Sequence, residues 1–250
     1  MASSTATSAQ TITLEIFRYL PDTESEPRYD TFEVPYRKDW VVLDALNWIK
    51  DESDESLSYR FSCRMGVCGS CGMMVNGEPK LTCAAFLRDY YPNKVRIEPL
   101  AHFPVTRDLV INMDDFMGKM EKLKTWIVPK EPRTIEQGEY RQSPRQLLDY
   151  KQYSMCINCM ICYSACPVYG LDSSFIGPAA LTLGRRYSLD SRDGASAERA
   201  EIIQSDEGVW KCTFVGECSR ACPKHVDPAG AIQEGKVEGL KSMLLPFGNK

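Results

Sequence analysis

Eleven cysteines carry the most specific chemical signal in this chain of 250 residues, and all of them lie in three tight groups. Their number is odd, and the first ten residues, MASSTATSAQ, lack the basic and then apolar segments of a secretory signal. A disulfide framework is typical of short secreted chains with an even cysteine count. We therefore expect an intracellular chain whose clustered cysteines bind metal.

The first group predicts a [2Fe–2S] cluster. Its spacing is Cys-x4-Cys-x2-Cys with a fourth cysteine further on, and the predicted ligands are Cys63, Cys68, Cys71 and Cys83. This is the plant-type spacing, although the last gap is shorter than in plant ferredoxins. Gly66, Gly69 and Gly72 are expected to let the loop bend and to direct N–H groups towards the sulfides. A structural zinc site is the alternative, and it suits this loop less because zinc favours paired Cys-x2-4-Cys knuckles.

The other two groups form an internal repeat. The run CINCMICYSACP, residues 156–167, aligns without a gap on CTFVGECSRACP, residues 212–223. The cysteine positions of the two runs coincide, except that Val215 stands where the first run has its second cysteine. In two-cluster bacterial ferredoxins the first three cysteines of such a run bind one cluster and the fourth binds the other. That rule predicts a [4Fe–4S] site whose ligands are Cys156, Cys159, Cys162 and Cys222. It leaves three thiolates for the other site, which are Cys166, Cys212 and Cys218.

Val215 decides the nature of this last site. Valine has no donor atom, and a cubane corner without a thiolate readily loses its iron, so we predict a [3Fe–4S] cluster. Cluster type and net charge set the potential, and we expect this centre to be the easier one to reduce. In the alternative interpretation Val215 is a core residue, and water or another side chain supplies the fourth ligand.

The segments around the first cysteine group predict a small α+β domain over residues 11–103. Residues 11–20 and 29–36 alternate apolar and polar side chains, as half-buried strands do. Residues 41–53 have helical spacing, with Asp39 as the N-cap candidate. Asn76-Gly77 predicts a hairpin between short strands, and residues 95–100 predict one more strand.

Helical patterns dominate the second half of the chain. They cover residues 143–153, 177–188, 195–204 and 227–244, and they predict an all-α domain over residues 143–250. Residues 104–142 carry three prolines and one helical segment, and are expected to connect the two domains. Residues 1–10 are expected to form a disordered tail.

Composition excludes several classes of function. The net charge of −4 argues against broad nucleic-acid binding. No apolar run is long enough to cross a bilayer. The sequence also lacks a Ser-His-Asp set, a P-loop and a GxGxxG fingerprint, so we predict no catalytic residue for an organic substrate on this chain.

The motifs resemble the iron–sulfur subunit of succinate dehydrogenases and quinol:fumarate reductases, the respiratory complex II family. The resemblance runs from about residue 11 to 245 and rests on segments such as SCRMGVCGSCGMMVNGEPKLTC, CINCMICYSACPVYGL and GVWKCTFVGECSRACPKHVDPAGAIQ. It implies a β-grasp [2Fe–2S] domain followed by an α-helical domain with [4Fe–4S] and [3Fe–4S]. It also implies a partner flavoprotein that carries FAD and the dicarboxylate site, and membrane anchor subunits that complete a quinone site.

The resemblance is stronger to the menaquinol:fumarate reductase branch. Thr213 and Leu171 stand where the ubiquinone-using branch usually has histidine and tryptophan. Gln233 and Lys236 match the glutamine and lysine that approach the quinone in the menaquinol branch. The residues implied to lie near the quinone are Pro167, Thr213, Phe214, Gln233 and Lys236. The plain alternative for Lys236 is a solvated surface charge.

The resemblance therefore implies a peripheral subunit of a complex that interconverts succinate and fumarate. The subunit carries electrons between FAD and a membrane quinone, which this pattern indicates to be menaquinone. Its expected place is the cytoplasmic face of the bacterial cytoplasmic membrane, held there by the anchors, with fumarate reduction preferred over succinate oxidation as its direction. A soluble multi-cluster ferredoxin that serves other partners is one alternative, and a colourless zinc-bound scaffold is another.

Overall fold

The computed structural model describes residues 10–244, so the predicted tail lies almost wholly outside the described residues. The chain divides into two compact units whose boundary in the sequence is between Asn112 and Met113. The stretch 104–142 is divided at this boundary: residues 104–112 belong to the first unit and residues 113–142 to the second.

The first unit is built on a five-stranded mixed sheet and one long helix. Its elements, in chain order, are β1 (Thr11–Arg18), β2 (Arg28–Pro35), α1 (Val42–Glu52), β3 (Gly72–Val75), β4 (Glu78–Leu81) and β5 (Val95–Glu98). The strand order is β2-β1-β5-β3-β4, with β1 and β5 parallel and the other neighbours antiparallel. This mixed sheet with its single long helix is the β-grasp architecture that the resemblance implies.

The core of this unit follows from the alternation in β1. Ile12, Leu14 and Ile16 are buried on one face of the strand. The apolar stripe of α1, with Leu46 and Ile49, belongs to the same buried cluster. Each such side chain stabilises the fold by roughly 1.5–3 kcal/mol relative to exposure. The loop of the first cysteine group, between α1 and β3, is anchored at both ends by this core.

The structure confirms the predicted hairpin between β3 and β4 and corrects the predicted N-cap of α1. Asn76 and Gly77 join β3 to β4 with φ angles of 51° and 80°, as the predicted hairpin requires. Asp39 is not the N-cap of α1. The cap residue is Val41, whose N–H donates to the Asp44 carboxylate at 3.0 Å. The helix begins late because Val41 first pairs with Phe86 in an isolated bridge.

A buried ion pair ties the end of the first unit to β1. The two short strands β6 (Val105–Arg107) and β7 (Val110–Ile111) flank Asp108, which is fully buried. Its carboxylate accepts from the Arg18 guanidinium at 3.1 Å and from the Ser58 N–H at 2.9 Å. Arg18 also pairs with Asp54. The network therefore fixes the segment that leads into the first cysteine loop.

The second unit contains no strand within the part of the chain that the structure describes. Its helices are α2 (Asp114–Lys122), α3 (Pro144–Leu148), α4 (Ile161–Ser164), α5 (Pro167–Leu171), α6 (Pro178–Ser188), α7 (Ser196–Ile203), α8 (Glu217–Arg220) and α9 (Pro228–Leu244). The all-α prediction is confirmed, but the predicted helix over 143–153 ends at Leu148. The chain turns there because Tyr150 and Tyr153 are buried with Val226 and Ala231.

The internal repeat is visible in the backbone of this unit. A short 3-10 helix precedes each cysteine run, at Tyr153–Met155 and at Val209–Lys211. Each run then begins a four-residue helix, α4 or α8, after a residue in the left-handed conformation, Met160 or Gly216. The two runs therefore present their cysteines on equivalent scaffolds, as their gapless alignment predicts.

Candidate metal centres

The first centre is organised around the sulfur of Cys63. This Sγ accepts hydrogen bonds from the backbone N–H groups of Met65 at 3.4 Å, Cys68 at 3.2 Å and Val67 at 3.2 Å. These three donors lower the pKa of Cys63 to about 6. The loop is thus already shaped to hold a thiolate at this position.

Cys71 and Cys83 close the other side of this centre. Cys71 lies just before β3, and its carbonyl accepts from both the N–H and the hydroxyl of Thr82 at 3.0 Å. Burial and the adjacent Cys71 thiol raise the pKa of Cys83 to about 11, and the N–H of Gly66 opposes this shift. The four predicted cysteines therefore lie close together in space, although the first and the last are 20 positions apart in the sequence.

The backbone bend predicted at the three loop glycines is present at two positions and absent at the third. Gly66 and Gly69 have φ angles of 69° and 73°, in a region of backbone conformation that residues other than glycine rarely adopt. Gly72 instead begins β3 and pairs with Leu81, so it is extended and bends nothing. The sequence also did not reveal that Met65 and Val67 supply the N–H donors, because any residue type carries that group.

The second centre brings together cysteines from both repeats. A small cavity is lined by four thiols, which belong to Cys156, Cys159, Cys162 and Cys222. Burial raises the pKa of Cys159 to about 12, and the nearby Cys156 and Cys222 add to the shift. Burial also raises the pKa of Cys162 well above its usual range. The group is the one that the ferredoxin exchange rule predicts.

The third centre holds the remaining three cysteines. A small cavity is lined by Cys166, Cys212, Cys218 and, at the equivalent of the missing cysteine, Val215. Burial is the main cause that raises the pKa of Cys218 to about 12, and the nearby Cys166 and Cys212 raise it further. Two sulfurs accept backbone hydrogen bonds, Cys212 from Phe214 at 3.4 Å and Cys166 from Tyr169 at 3.5 Å.

Val215 is not a core residue. Its side chain is 55% exposed and lines the third cavity. Glu217 also lines this cavity, but its carboxylate is bound to the Arg220 guanidinium at 2.6 Å. The alternative in which Val215 serves only core packing is therefore wrong, and the acidic side chain that lines the cavity is already paired.

The donor chemistry fits iron–sulfur clusters. Burial raises the pKa of most of the seven thiols of the second unit, so in the metal-free chain these stay protonated near neutral pH. A bound metal deprotonates a coordinating thiol outright, and backbone N–H groups then bind the sulfur. Among residues 10–244 no group of three or more His, Cys, Asp or Glu side chains is placed to hold a single metal ion.

The residues implied to lie near a quinone differ in how closely they approach the third centre. Pro167, Thr213 and Phe214 are exposed and line its cavity. The Lys236 ammonium donates to the Cys212 carbonyl at 2.7 Å, so it is held against the main chain of this centre. Gln233 does not line the cavity, and its Nε2 is buried with no hydrogen-bond partner in the described part of the chain.

Comparison with known proteins identifies the family of this chain. The family described as 2Fe-2S iron-sulfur cluster binding domain matches residues 13–118, and that described as 4Fe-4S dicluster domain matches residues 148–223. A fumarate reductase iron-sulfur subunit from Mycobacterium tuberculosis (strain CDC 1551 / Oshkosh) is 55% identical over 95% of this chain and 98% of that protein. The chain belongs to the family of complex II iron–sulfur subunits.

A second relative and one solved structure add to this comparison. A succinate dehydrogenase iron-sulfur subunit from Coxiella burnetii is 34% identical over 92% of the chain and 97% of that protein, well below the 55% of the fumarate reductase relative. The fumarate reductase branch that the motifs indicate is thus confirmed. A structure titled Mycobacterium smegmatis Sdh1 complex in the apo form has the same fold, with a TM-score of 0.84 at 24% identity, covering 96% of this chain and 100% of that one.

The family gives this chain its role as an electron-transfer subunit of an oxidoreductase complex, with one [2Fe–2S] domain and one 4Fe-4S dicluster domain. Within residues 10–244, no helix has both the length and the apolar character needed to span a membrane.

Proposed function

We propose that the chain carries electrons between an FAD-containing flavoprotein and a membrane quinone through [2Fe–2S], [4Fe–4S] and [3Fe–4S] clusters. The observation that carries this proposal is the sorting of eleven cysteines into sets of four, four and three, with Val215 at the vacant ligand position. Three centres of different composition on one chain suit stepwise one-electron transfer between a two-electron flavin and a two-electron quinone.

The proposed ligand sets follow the three cysteine groups. The [2Fe–2S] cluster takes Cys63, Cys68, Cys71 and Cys83. The [4Fe–4S] cluster takes Cys156, Cys159, Cys162 and Cys222. The [3Fe–4S] cluster takes Cys166, Cys212 and Cys218. The residues of this chain hold these groups at fixed positions and donate backbone hydrogen bonds to their sulfurs, and hydrogen bonding and solvent exposure are what tune such potentials.

The third centre is the proposed exit to the quinone. The exposed side chains of Thr213 and Phe214 beside its cavity leave an open face that a quinone and the anchor subunits can cover. Lys236, held at the Cys212 carbonyl, is the proposed donor to a quinone oxygen, and Gln233 lies one helical turn before it. Thr213 and Leu171 favour menaquinone. The subunit then lies at the cytoplasmic face of the bacterial cytoplasmic membrane, and fumarate reduction is the preferred direction.

Low-temperature electron paramagnetic resonance tests the cluster composition directly. Oxidised [2Fe–2S] and [4Fe–4S] clusters have no net spin, whereas an oxidised [3Fe–4S] cluster has a half-integer spin. We expect a sharp signal from the air-oxidised protein that disappears on reduction, and new signals after dithionite. An iron-replete sample that is silent when oxidised would contradict the proposed ligand set of Cys166, Cys212 and Cys218.

A further inference from the structure

Helix α2 contains a buried lysine, which is unusual for this residue type. Lys119 is 8% exposed, although lysine side chains are rarely buried unless they are paired. Its ammonium donates to the Asp115 carboxylate, one helical turn earlier, at 2.6 Å. It also donates to the Ser173 carbonyl at 2.5 Å. The ammonium therefore joins α2 to the chain that follows α5.

The same two residues of α2 hold the side chain of Tyr169 in α5. The Tyr169 hydroxyl donates to the Asp115 carboxylate at 2.8 Å, and the Lys119 ammonium lies over the Tyr169 ring, 4.6 Å from its centroid. The ring also packs edge to face on that of Tyr163, with the centroids 4.8 Å apart. Tyr169 is thus held at its hydroxyl and at its ring, and we call Asp115 and Lys119 the α2 clamp.

Tyr169 contacts the third centre through its backbone. Its N–H donates to Cys166 Sγ at 3.5 Å. Cys166 is the N-cap of α5, and α5 is only five residues long. Because so short a helix is not stable by itself, the position of this donor depends on packing against other elements. The α2 clamp supplies such packing to the very residue that carries the N–H.

We propose that Asp115 and Lys119 are positioning residues for the third centre, which hold the Tyr169 N–H on the Cys166 sulfur and thereby raise the reduction potential of the [3Fe–4S] cluster. This inference rests on the proposed function. The reduced cluster carries one more negative charge than the oxidised one, so an N–H donor stabilises the reduced form more. Hydrogen bonds to the sulfurs are one determinant of such potentials. Loosening the donor should therefore lower the potential.

A redox titration of the full chain with its clusters measures this effect through the resonance signal of the oxidised three-iron centre. Lys119→Met removes the ammonium and keeps a side chain of similar length. Tyr169→Phe removes only the hydroxyl that binds Asp115 and changes no charge. At the midpoint potential of the wild-type centre, we expect each substitution to lower the ratio of reduced to oxidised centre at least threefold.

Tyr153→Phe is the matched control. Tyr153 is also buried, and its hydroxyl also donates to a carboxylate, that of Glu234, at 2.8 Å. It packs beside Cys156 of the second centre. Tyr153→Phe thus removes the same kind of bond from the same unit but leaves the contacts of Tyr169 intact. It should change the ratio of reduced to oxidised three-iron centre less than twofold.

Pulsed resonance on protein labelled with ¹⁵N-tyrosine tests the hydrogen bond itself. The spin of the oxidised [3Fe–4S] cluster should couple to the backbone nitrogen of Tyr169. The coupling should be absent from labelled Tyr169→Phe, which assigns it to this residue. Lys119→Met should weaken it, because the donor is then held less firmly. An undiminished coupling in Lys119→Met would overturn the positioning role of the clamp.

The two variants also separate positioning from a direct effect of charge. A potential that shifts in Lys119→Met but not in Tyr169→Phe would mean that the ammonium acts on the cluster through space, and would overturn the proposed route through Tyr169. Tyr169→Phe leaves the ion pair between Lys119 and Asp115 in place, so it tests this route in a fold where the buried lysine keeps its partner.

Failure of the proposed function gives a different result. A wild-type chain without the oxidised three-iron signal would overturn the proposed function and this inference with it. A wild-type chain that has this signal, together with unchanged potentials in Lys119→Met and Tyr169→Phe, would overturn this inference alone.

Discussion

At the residue scale, the most informative position is the one that departs from the repeat. Val215 occupies the site of a ligand, lines the third cavity and leaves three thiols there instead of four. The equivalent residue of the first repeat, Cys159, is buried in a four-thiol cavity. Of the positions at which the two repeats differ, only this one exchanges a cysteine for a residue without a donor atom, so a single substitution is expected to reverse the difference in ligand number.

Val215→Cys is expected to convert the [3Fe–4S] centre into [4Fe–4S]. A fourth thiolate at this position holds the fourth iron, so the resonance signal of the oxidised protein should be lost and a second reduced [4Fe–4S] signal should appear. Iron analysis should rise by one per chain. Val215→Ala, which changes size without adding a donor, should keep the wild-type spectrum. An unchanged oxidised signal in Val215→Cys would argue that the vacant corner is elsewhere.

Cys63 should be the most reactive thiol of the first group when the full chain is freed of metal. Its pKa is lowered to about 6 by N–H donors, first that of Met65, so the thiolate predominates above pH 6. Cys83, with a pKa raised to about 11 by burial, stays protonated until much higher pH. Alkylation followed by mass spectrometry should give a half-maximal rate at Cys63 near pH 6.

Unfolding supplies the control for this titration. In urea the three N–H donors are lost, and the alkylation midpoint of Cys63 should move up to the ordinary cysteine value of about 8.5. A midpoint that is the same in the folded and unfolded chain would show that the loop does not hold this shape without metal.

At the element scale, the first cysteine loop depends on a buried ionic network. Arg18 at the end of β1 is 1% exposed and Asp108 between β6 and β7 is 0% exposed. Asp108 accepts from the Ser58 N–H, five residues before Cys63. The network thus connects three segments that are far apart in sequence, and removing one partner leaves the other charge buried and unpaired.

Asp108→Ala is expected to destabilise the first unit by about 3–5 kcal/mol, the usual cost of breaking a buried pair from one side. Denaturant titration followed by loss of the [2Fe–2S] absorbance measures this change in the full chain. Glu24→Ala removes a partner of the exposed Arg28 and should cost less than about 1 kcal/mol. Equal midpoints for the two variants would mean that the buried network does not support the loop.

At the scale of the whole molecule, the two units are expected to lose their clusters independently, whereas the two repeats are not independent of each other. Each repeat contributes its last cysteine to the centre of the other, so Cys222 lies with Cys156 and Cys159. The [2Fe–2S] loop shares no cysteine with either repeat. Damage in the second unit should therefore spread across the repeats but leave the first unit intact.

Cys222→Ser is expected to abolish the [4Fe–4S] signal of the reduced protein, although residue 222 belongs to the second repeat, while the [2Fe–2S] signal stays. Cys83→Ser should give the opposite pattern, with loss of [2Fe–2S] and retention of the oxidised three-iron signal. Both variants are measured by the same resonance experiment. Retention of the [4Fe–4S] signal in Cys222→Ser would contradict the exchange of ligands between the repeats.

The sequence by itself predicted a type for each centre and a division into two domains, and it identified the family. Cysteine spacing specifies a cluster because the ligands must reach a small inorganic core from a short loop, and that requirement is local. Patterns in the sequence likewise predicted five of the seven strands, the Asn76-Gly77 hairpin and most of the helices, since side-chain periodicity is a property of consecutive residues. The short strands β6 and β7, in the predicted connection, were missed.

Only the tertiary structure decided the properties that depend on residues distant in the chain. The start of α1 is set by a bridge from Val41 to Phe86, and the end of α3 by the burial of Tyr150. The contact of Lys236 with the Cys212 carbonyl depends on the packing of α9. The donors of Cys63 Sγ depend on how the loop folds, because a backbone N–H carries no mark in the sequence of where it will point.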